Sequence, residues 1–287
     1  MTKTKLTYPI SNIATYRNHL NQMAAQIPDP NHGFFGPGSM AWQVNREGVL
    51  GLGALRALLM QIAHPMVAQG VADHSNFRGA PIKRVVKTMR MQQIIVFGSC
   101  DEAIEALLGM YARHSQVSGK VAGSNYQAND SILQLWVHAT LVDSIIRAYD
   151  QYLPSLSLKE AERFYKDSLI FADLMGIPKE ILPSTLTDFN AWIDEMLAGQ
   201  EVAVTPTAVE IVQSLLKLPL PIFWPTNYIL AAGSLPPSLR EAYGLKWSTP
   251  IAGSYALGVR ILQSVAKRLP KRLRWMPPYW RAMKRCR

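Results

Sequence analysis

The sequence predicts an all-α fold, built as a single large multi-helical domain. Apolar residues recur at the three-and-four spacing of amphipathic helices through most of the chain. Alternating runs of the kind that half-buried strands need are almost absent, and capping and breaking residues punctuate the helical segments. With 287 residues, 48% of them hydrophobic, the chain can bury a large core, in one big domain or two intimately packed ones.

Residues 1–33 read as an N-terminal extension and residues 34–287 as the domain proper. Pro28-Asp29-Pro30 and the glycines at 33, 36 and 38 form a loop leading to a first core helix over about residues 41–64, where Pro65 discourages continuation. A short segment over 66–77 follows. Pro81 then starts a helix that carries Arg84, Lys87 and Thr88 and ends near Gly98. Asp101 caps the next helix, through Gln116, with Gly119 as its stop, and Asp130 caps a long apolar helix through Leu153. Ser157 and Glu160 make a capping box, and Gly176 with Pro178 closes the helix it opens. Further helices are expected over 185–198 before Gly199, and from Thr205 with Pro206 in first position to Lys217 before Pro219. Shorter pieces lie near 226–232 and 237–243, and a last long helix covers 249–268 before Pro270. No internal repeat or long linker divides the chain.

The formal net charge is +10, yet nine of the thirty Lys and Arg lie in residues 267–287 and none of the twenty Asp and Glu do, so the body carries only +1. A charge excess confined to one segment is either a solvated basic end or a contact for an acidic surface such as phospholipid. Trp275, Tyr279 and Trp280 interleave with these cations and suit a lipid headgroup boundary. Nucleic acid has less support, because no reading motif accompanies the charge. Two distant cysteines, Cys100 and Cys286, outline neither a disulfide framework nor a thiolate metal cage, and no covalent haem motif occurs. The polar opening stretch lacks a signal-peptide core, so a cytoplasmic location is expected, with peripheral membrane contact through residues 267–287 as an addition. The most apolar stretch, residues 48–63, contains Arg56 and Gln61 and reads as a buried core helix.

Six histidines, at 19, 32, 64, 74, 114 and 138, are the first candidates for metal or acid–base chemistry. None belongs to a zinc-hydrolase motif, and the ten-residue separation of His64 and His74 matches no zinc site. His114 sits near the end of a helix whose other face carries Ile104, Leu107, Leu108 and Tyr111. It is either a hydrogen-bonded core residue or the single axial ligand that a flat apolar cofactor such as haem requires. Arg84, Lys87 and Thr88 share one helix face by their i, i+3, i+4 spacing, either as a functional cluster or as a solvated basic face. His138 lies in a segment too apolar for a surface and is expected to be structural or to support a cofactor from behind. Asp143 and Arg147 read as an ordinary helix salt bridge. No phosphate-binding loop or nucleophile elbow is present.

Trp42-Gln43-Val44-Asn45-Arg46-Glu47, the run from Arg56 to Pro65, and Gly70-Val71-Ala72-Asp73-His74-Ser75-Asn76-Phe77, taken together, resemble the family of MpaB-like oxygenases and rubber oxygenases (latex-clearing proteins), once known only as a domain of unknown function. The likeness continues through Arg84 to Thr88, His114-Ser115-Gln116-Val117-Ser118-Gly119, Tyr126-Gln127-Ala128, Trp136-Val137-His138-Ala139-Thr140, Leu235-Pro236-Pro237 and Arg240. It spans residues 34–285.

The resemblance implies a haem b oxygenase acting on a small apolar, unsaturated substrate with dioxygen. In the rubber-oxygenase branch one axial histidine holds the iron, a role that falls to His114 in His-x-x-Val-x-Gly. The branch's Arg-x-x-Lys-Thr pattern is matched by Arg84, Lys87 and Thr88, and its lysine can occupy the sixth iron position in a closed state. Arg84 and His138 then join His114 around the cofactor. The chain departs from the branch in one place. A glutamate stands about sixteen residues before the arginine there, whereas Val67-Ala68-Gln69-Gly70 stands here, with Asp73 as an inexact substitute. Two alternatives stay open: a haem-binding sensor or carrier without turnover, and a peripheral membrane protein acting through its basic end.

Overall fold

The computed structural model describes residues 10, 12–75, 81–216 and 224–287. Among these it forms fifteen α-helices and one two-stranded hairpin, so the all-α reading is correct. The chain opens with α1 (Ile13–Ala24), which buries Tyr16 and Leu20, so the N-terminal extension is packed as a helix. The expected helix over 41–64 is three pieces: α2 (Met40–Asn45), a 3-10 turn (Gly48–Leu52) and α3 (Gly53–Gln61). Close backbone approaches account for the breaks. A Cβ on Gly48 would lie 3.1 Å from the Arg274 carbonyl oxygen, and one on Gly53 would lie 3.0 Å from that of Ser144. Asp167 anchors the start of α2 by accepting a 2.8 Å hydrogen bond from the Ala41 amide.

Pro65 begins α4 (Pro65–His74) rather than ending the order, because a helix's first position needs no amide hydrogen and His64 serves as its N-cap. Next come α5 (Pro81–Phe97) and α6 (Cys100–His114). The α6 cap is a Ser99–Glu102 capping box, two residues ahead of the expected Asp101, whose charge still favours the first turn. Beyond α6 lies a hairpin the sequence did not announce, β1 (Ser118–Val121) with β2 (Ser124–Gln127). Its turn residues Ala122 and Gly123 both have positive φ, 49° and 80°, as a two-residue hairpin turn demands.

The central helix is α7 (Ser131–Tyr152), capped by Asp130 and packed against α3 most extensively; buried residues recur on all its sides. Then follow α8 (Leu158–Leu174), with the predicted Ser157–Glu160 box, and α9 (Leu186–Ala198), capped by Thr185. Gly176, at φ 79°, lets the chain turn back so that the Ile177 amide reaches the Ala172 carbonyl. After α10 (Pro206–Leu216), the expected stop at Lys217 and Pro219 lies outside the described residues. The chain ends in α11 (Trp224–Ser234), α12 (Pro237–Ala242), α13 (Thr249–Arg268), α14 (Lys271–Arg274) and α15 (Pro277–Arg285).

The basic end is not a free tail. Trp275 and Tyr279 are buried in a small core with Trp42 and Phe97, so two of the three aromatics expected at a lipid boundary are committed inside. Glu47, itself buried, accepts hydrogen bonds from Trp275 Nε1 at 2.9 Å and Arg274 Nη2 at 3.0 Å. The Met276 amide donates to the Arg46 carbonyl at 2.7 Å, and the Arg46 guanidinium lies 4.0 Å over the Trp275 ring. Asp143 is likewise more than half of a surface pair. It is buried and binds Arg56 of α3 as well as Arg147.

Candidate functional site

A cavity of about 540 Å³ opens between α4, α5, α6, β2, α7 and the end of α8. His114, Lys87 and Thr88, which the sequence singles out separately, all line it. His114 is the last residue of α6, half-buried, at the point where the chain leaves the helix for the hairpin and the Val117 amide bonds back to its carbonyl at 2.9 Å. Lys87 and Thr88 come from α5, as do Met91, Gln92 and Ile95. The Arg84 side chain lies outside the described residues, as do Asn76 and Phe77.

Apolar side chains make most of the remaining wall: Met66, Val67 and Val71 of α4, Met110 of α6, Leu133, Val137 and Leu141 of α7, with Phe171 of α8 and Met175 at its C-cap. Gln61, Gln134, His74 and Tyr126 supply polar groups, and Arg113 a second basic side chain in addition to Lys87. Among the described lining residues there is no carboxylate.

His138 does not line this cavity. It is buried behind Phe171, its ring stacked on that phenyl at 5.8 Å, and burial pushes its pKa down to about 4 against the opposing pull of a backbone hydrogen bond to Ser168. Asp73, the inexact substitute for the branch's glutamate, stands back as well. Its Oδ2 accepts a 2.6 Å hydrogen bond from the Tyr126 hydroxyl and its Oδ1 one of 2.8 Å from Gln69. Burial and that bond raise the Tyr126 pKa to about 12, so the phenol stays protonated and donates.

The other histidines have tethering roles. His64 Nδ1 accepts the Met66 amide at 3.2 Å, and burial lowers its pKa. His74 Nε2 lies 2.9 Å from the Ser118 carbonyl, tying α4 to the hairpin, and His19 Nε2 lies 3.1 Å from Asp173.

Sequence reasoning missed Tyr126, Gln61, Gln134, Arg113 and Phe171 as wall residues. For Tyr126 a signal exists in Gly119, its registered partner on β1. A Cβ at Gly119 would sit 2.6 Å from the Tyr126 hydroxyl oxygen and 2.8 Å from ring carbons, so the glycine is what admits the ring.

The residues suit a b-type haem in kind. The volume falls within the ~300–1,000 Å³ of cofactor and ligand sites. The wall is largely apolar, two imidazoles line it, His114 and a His74 that is tied through Nε2 to the Ser118 carbonyl, and Lys87 and Arg113 can meet the carboxylates of a macrocycle. Among the described residues no three His, Cys, Asp or Glu side chains gather as a metal cage. A cofactor that brings its own ring of nitrogen donors asks the protein for a single imidazole.

The chain matches the family model described as "ER-bound oxygenase mpaB/B'/Rubber oxygenase, catalytic domain" over residues 42–280. Among curated proteins it is similar to the uncharacterized protein Mb2261 of Mycobacterium bovis and the uncharacterized protein Rv2237 of Mycobacterium tuberculosis. Each is 25% identical over 226 residues, covering 75% of this chain and 88% of the relative. No solved structure matches significantly. The match across most of the chain means that this protein belongs to the family of MpaB-type oxygenases and rubber oxygenases.

Proposed function

We propose that this member of an oxygenase family is haem b-dependent and acts on a small apolar, unsaturated substrate with dioxygen. One observation carries the reading: His114 at the end of α6 and Lys87 with Thr88 on α5 line the same apolar-walled cavity. Bound haem supplies the redox chemistry with dioxygen, and the chain supplies ligation, polarity and access. His114 offers a ring nitrogen in its neutral form, the other nitrogen keeping the proton. Lys87 ligates only as the free amine, so its closure over the site requires release of a proton from Nζ. Thr88 offers a hydroxyl, and Gln92 and Gln134 line the cavity with amides whose nitrogens also donate to Asn45 and Asn129. Arg84 is assigned with Thr88 to hydrogen bonding of the oxidant or a cofactor carboxylate, and His138 to bracing the wall through Phe171. The methionine, leucine and phenylalanine surfaces keep water from the reacting substrate.

A second reading, a haem carrier or sensor without turnover, is favoured by the lack of a carboxylate among the described lining residues. Oxygen uptake in the presence of apolar alkenes separates the two.

Haem-reconstituted protein is expected to show a Soret band that His114→Ala abolishes without loss of helical circular dichroism. Lys87→Ala is expected to keep the band and shift its position. A folded, reconstituted preparation with no such band ends the haem reading, and an unchanged Lys87→Ala spectrum removes the lysine from the iron.

A further inference from the structure

We infer that the outer face of α13, with the basic α14 that follows it, is a docking surface for an anionic lipid bilayer. Leu257, Ile261 and Val265 recur every four residues on α13 and are 59%, 53% and 45% exposed. At 3.6 residues per turn they form one stripe spanning about 80° of the helix. Leu269, at the C-cap of α13, and Leu273 in α14 are exposed as well, the latter 74%. With Trp280, these make six of the eleven large apolar side chains that the described part of the molecule leaves exposed, within 24 residues of sequence. Such a concentration marks an interaction surface rather than the scattered apolar exposure of any soluble protein.

Charge selects the partner. Residues 242–287 contain eleven Lys and Arg and no Asp or Glu. Arg260, Lys267, Arg268, Lys271 and Arg272 are exposed beside the stripe. The occupant must therefore be apolar and anionic on the same face, which a bilayer with acidic headgroups is. A second copy of the chain would bring the same cations against these. Nucleic acid has no use for a stripe of Leu, Ile and Val. Among the described residues no single helix is long and apolar enough to cross a membrane, so α13 would lie on the surface rather than span it. The stripe replaces the buried Trp275 and Tyr279 as the apolar contact, and the inference is independent of the haem reading.

Co-sedimentation of the full chain with vesicles tests it. Binding is expected to phosphatidylcholine vesicles containing about one third phosphatidylserine, to weaken in raised salt as the ~10 Å Debye length at 0.1 M contracts, and to be slight on phosphatidylcholine alone. The triple substitution Leu257→Ser, Ile261→Ser, Val265→Ser should lower the partition coefficient by roughly a hundredfold while leaving the melting temperature near the parent's, since all three are solvent-exposed. Reversal of Lys267, Arg268 and Lys271 to Glu should remove the preference for the acidic lipid. No binding to the acidic vesicles, or binding that survives the triple substitution, overturns the proposal. So does a salt-sensitive complex with duplex DNA of equal strength in parent and triple variant, if vesicles are not bound. A dimer that the triple substitution dissolves, again without vesicle binding, assigns the stripe to self-association instead.

Discussion

Arg56 Nη1 lies 2.5 Å from Asp143 Oδ2, joining α3 to α7 with both side chains about 5% exposed or less. The guanidinium also donates to Ser144 Oγ and to the Ser234 carbonyl, each at 2.8 Å, so α3, α7 and the end of α11 are joined by one cation. Removing one member of a buried pair strands the other charge. Arg56→Ala should cost about 3–5 kcal/mol, whereas replacing both members with apolar residues of matched volume should cost far less. Urea denaturation of the single and double variants measures this. A single variant within 1 kcal/mol of the parent, on the order of a surface pair's worth, would contradict the buried assignment.

Glu47 predicts the behaviour of the C-terminal segment. Its carboxylate holds Arg274 and the Trp275 indole inside the fold, so Glu47→Ala should cost about 3–5 kcal/mol and free α14 and α15. Limited trypsin digestion should cut the variant first among the exposed cations after Arg268, at protease levels that leave the parent whole. Equal cleavage of both proteins would show that the clasp does not depend on this residue.

Two histidines give opposite pH responses. His138 is neutral in the folded protein because burial holds it near 4, while an unfolded chain takes up the proton near 6.5. The unfolded state thus binds more protons between these values. Stability is complete above about pH 6.5 and falls on acidification towards 4, by about 3 kcal/mol in total. His19 runs the other way, its pKa raised chiefly by the hydrogen bond to Asp173. Its contribution is complete below about 6.5 and is lost as pH rises through its higher folded value. Melting temperatures between pH 4 and 8 should show His138→Gln flattening the acid limb and His19→Gln the alkaline one. A parental slope in the acid limb of His138→Gln would refute its role there.

Local chemistry made much of the fold legible. Asp130, Ser157 with Glu160, Thr185 and Gly176 act within a turn of their own position, and each did what its residue type dictates. The breaks at Gly48 and Gly53 were not legible, because their causes are the carbonyls of Arg274 and Ser144, far along the chain. The hairpin escaped because Ser-Gly-Lys-Val and Ser-Asn-Tyr-Gln are short and mostly polar, with only Tyr126 buried. At the site, Lys87 and Thr88 share a helix turn and could be grouped from spacing. Their meeting with His114, and the arrival of Tyr126 and Phe171, depend on how α5, α6, the hairpin and α8 converge.

Beside the main cavity a smaller recess, lined by Gly51, Met89 and Met276 among others, shares Gln61, Thr88, Gln92 and Leu141 with it. These four side chains form a party wall. A substitution at Thr88 or Gln92 therefore alters the lining of both chambers at once.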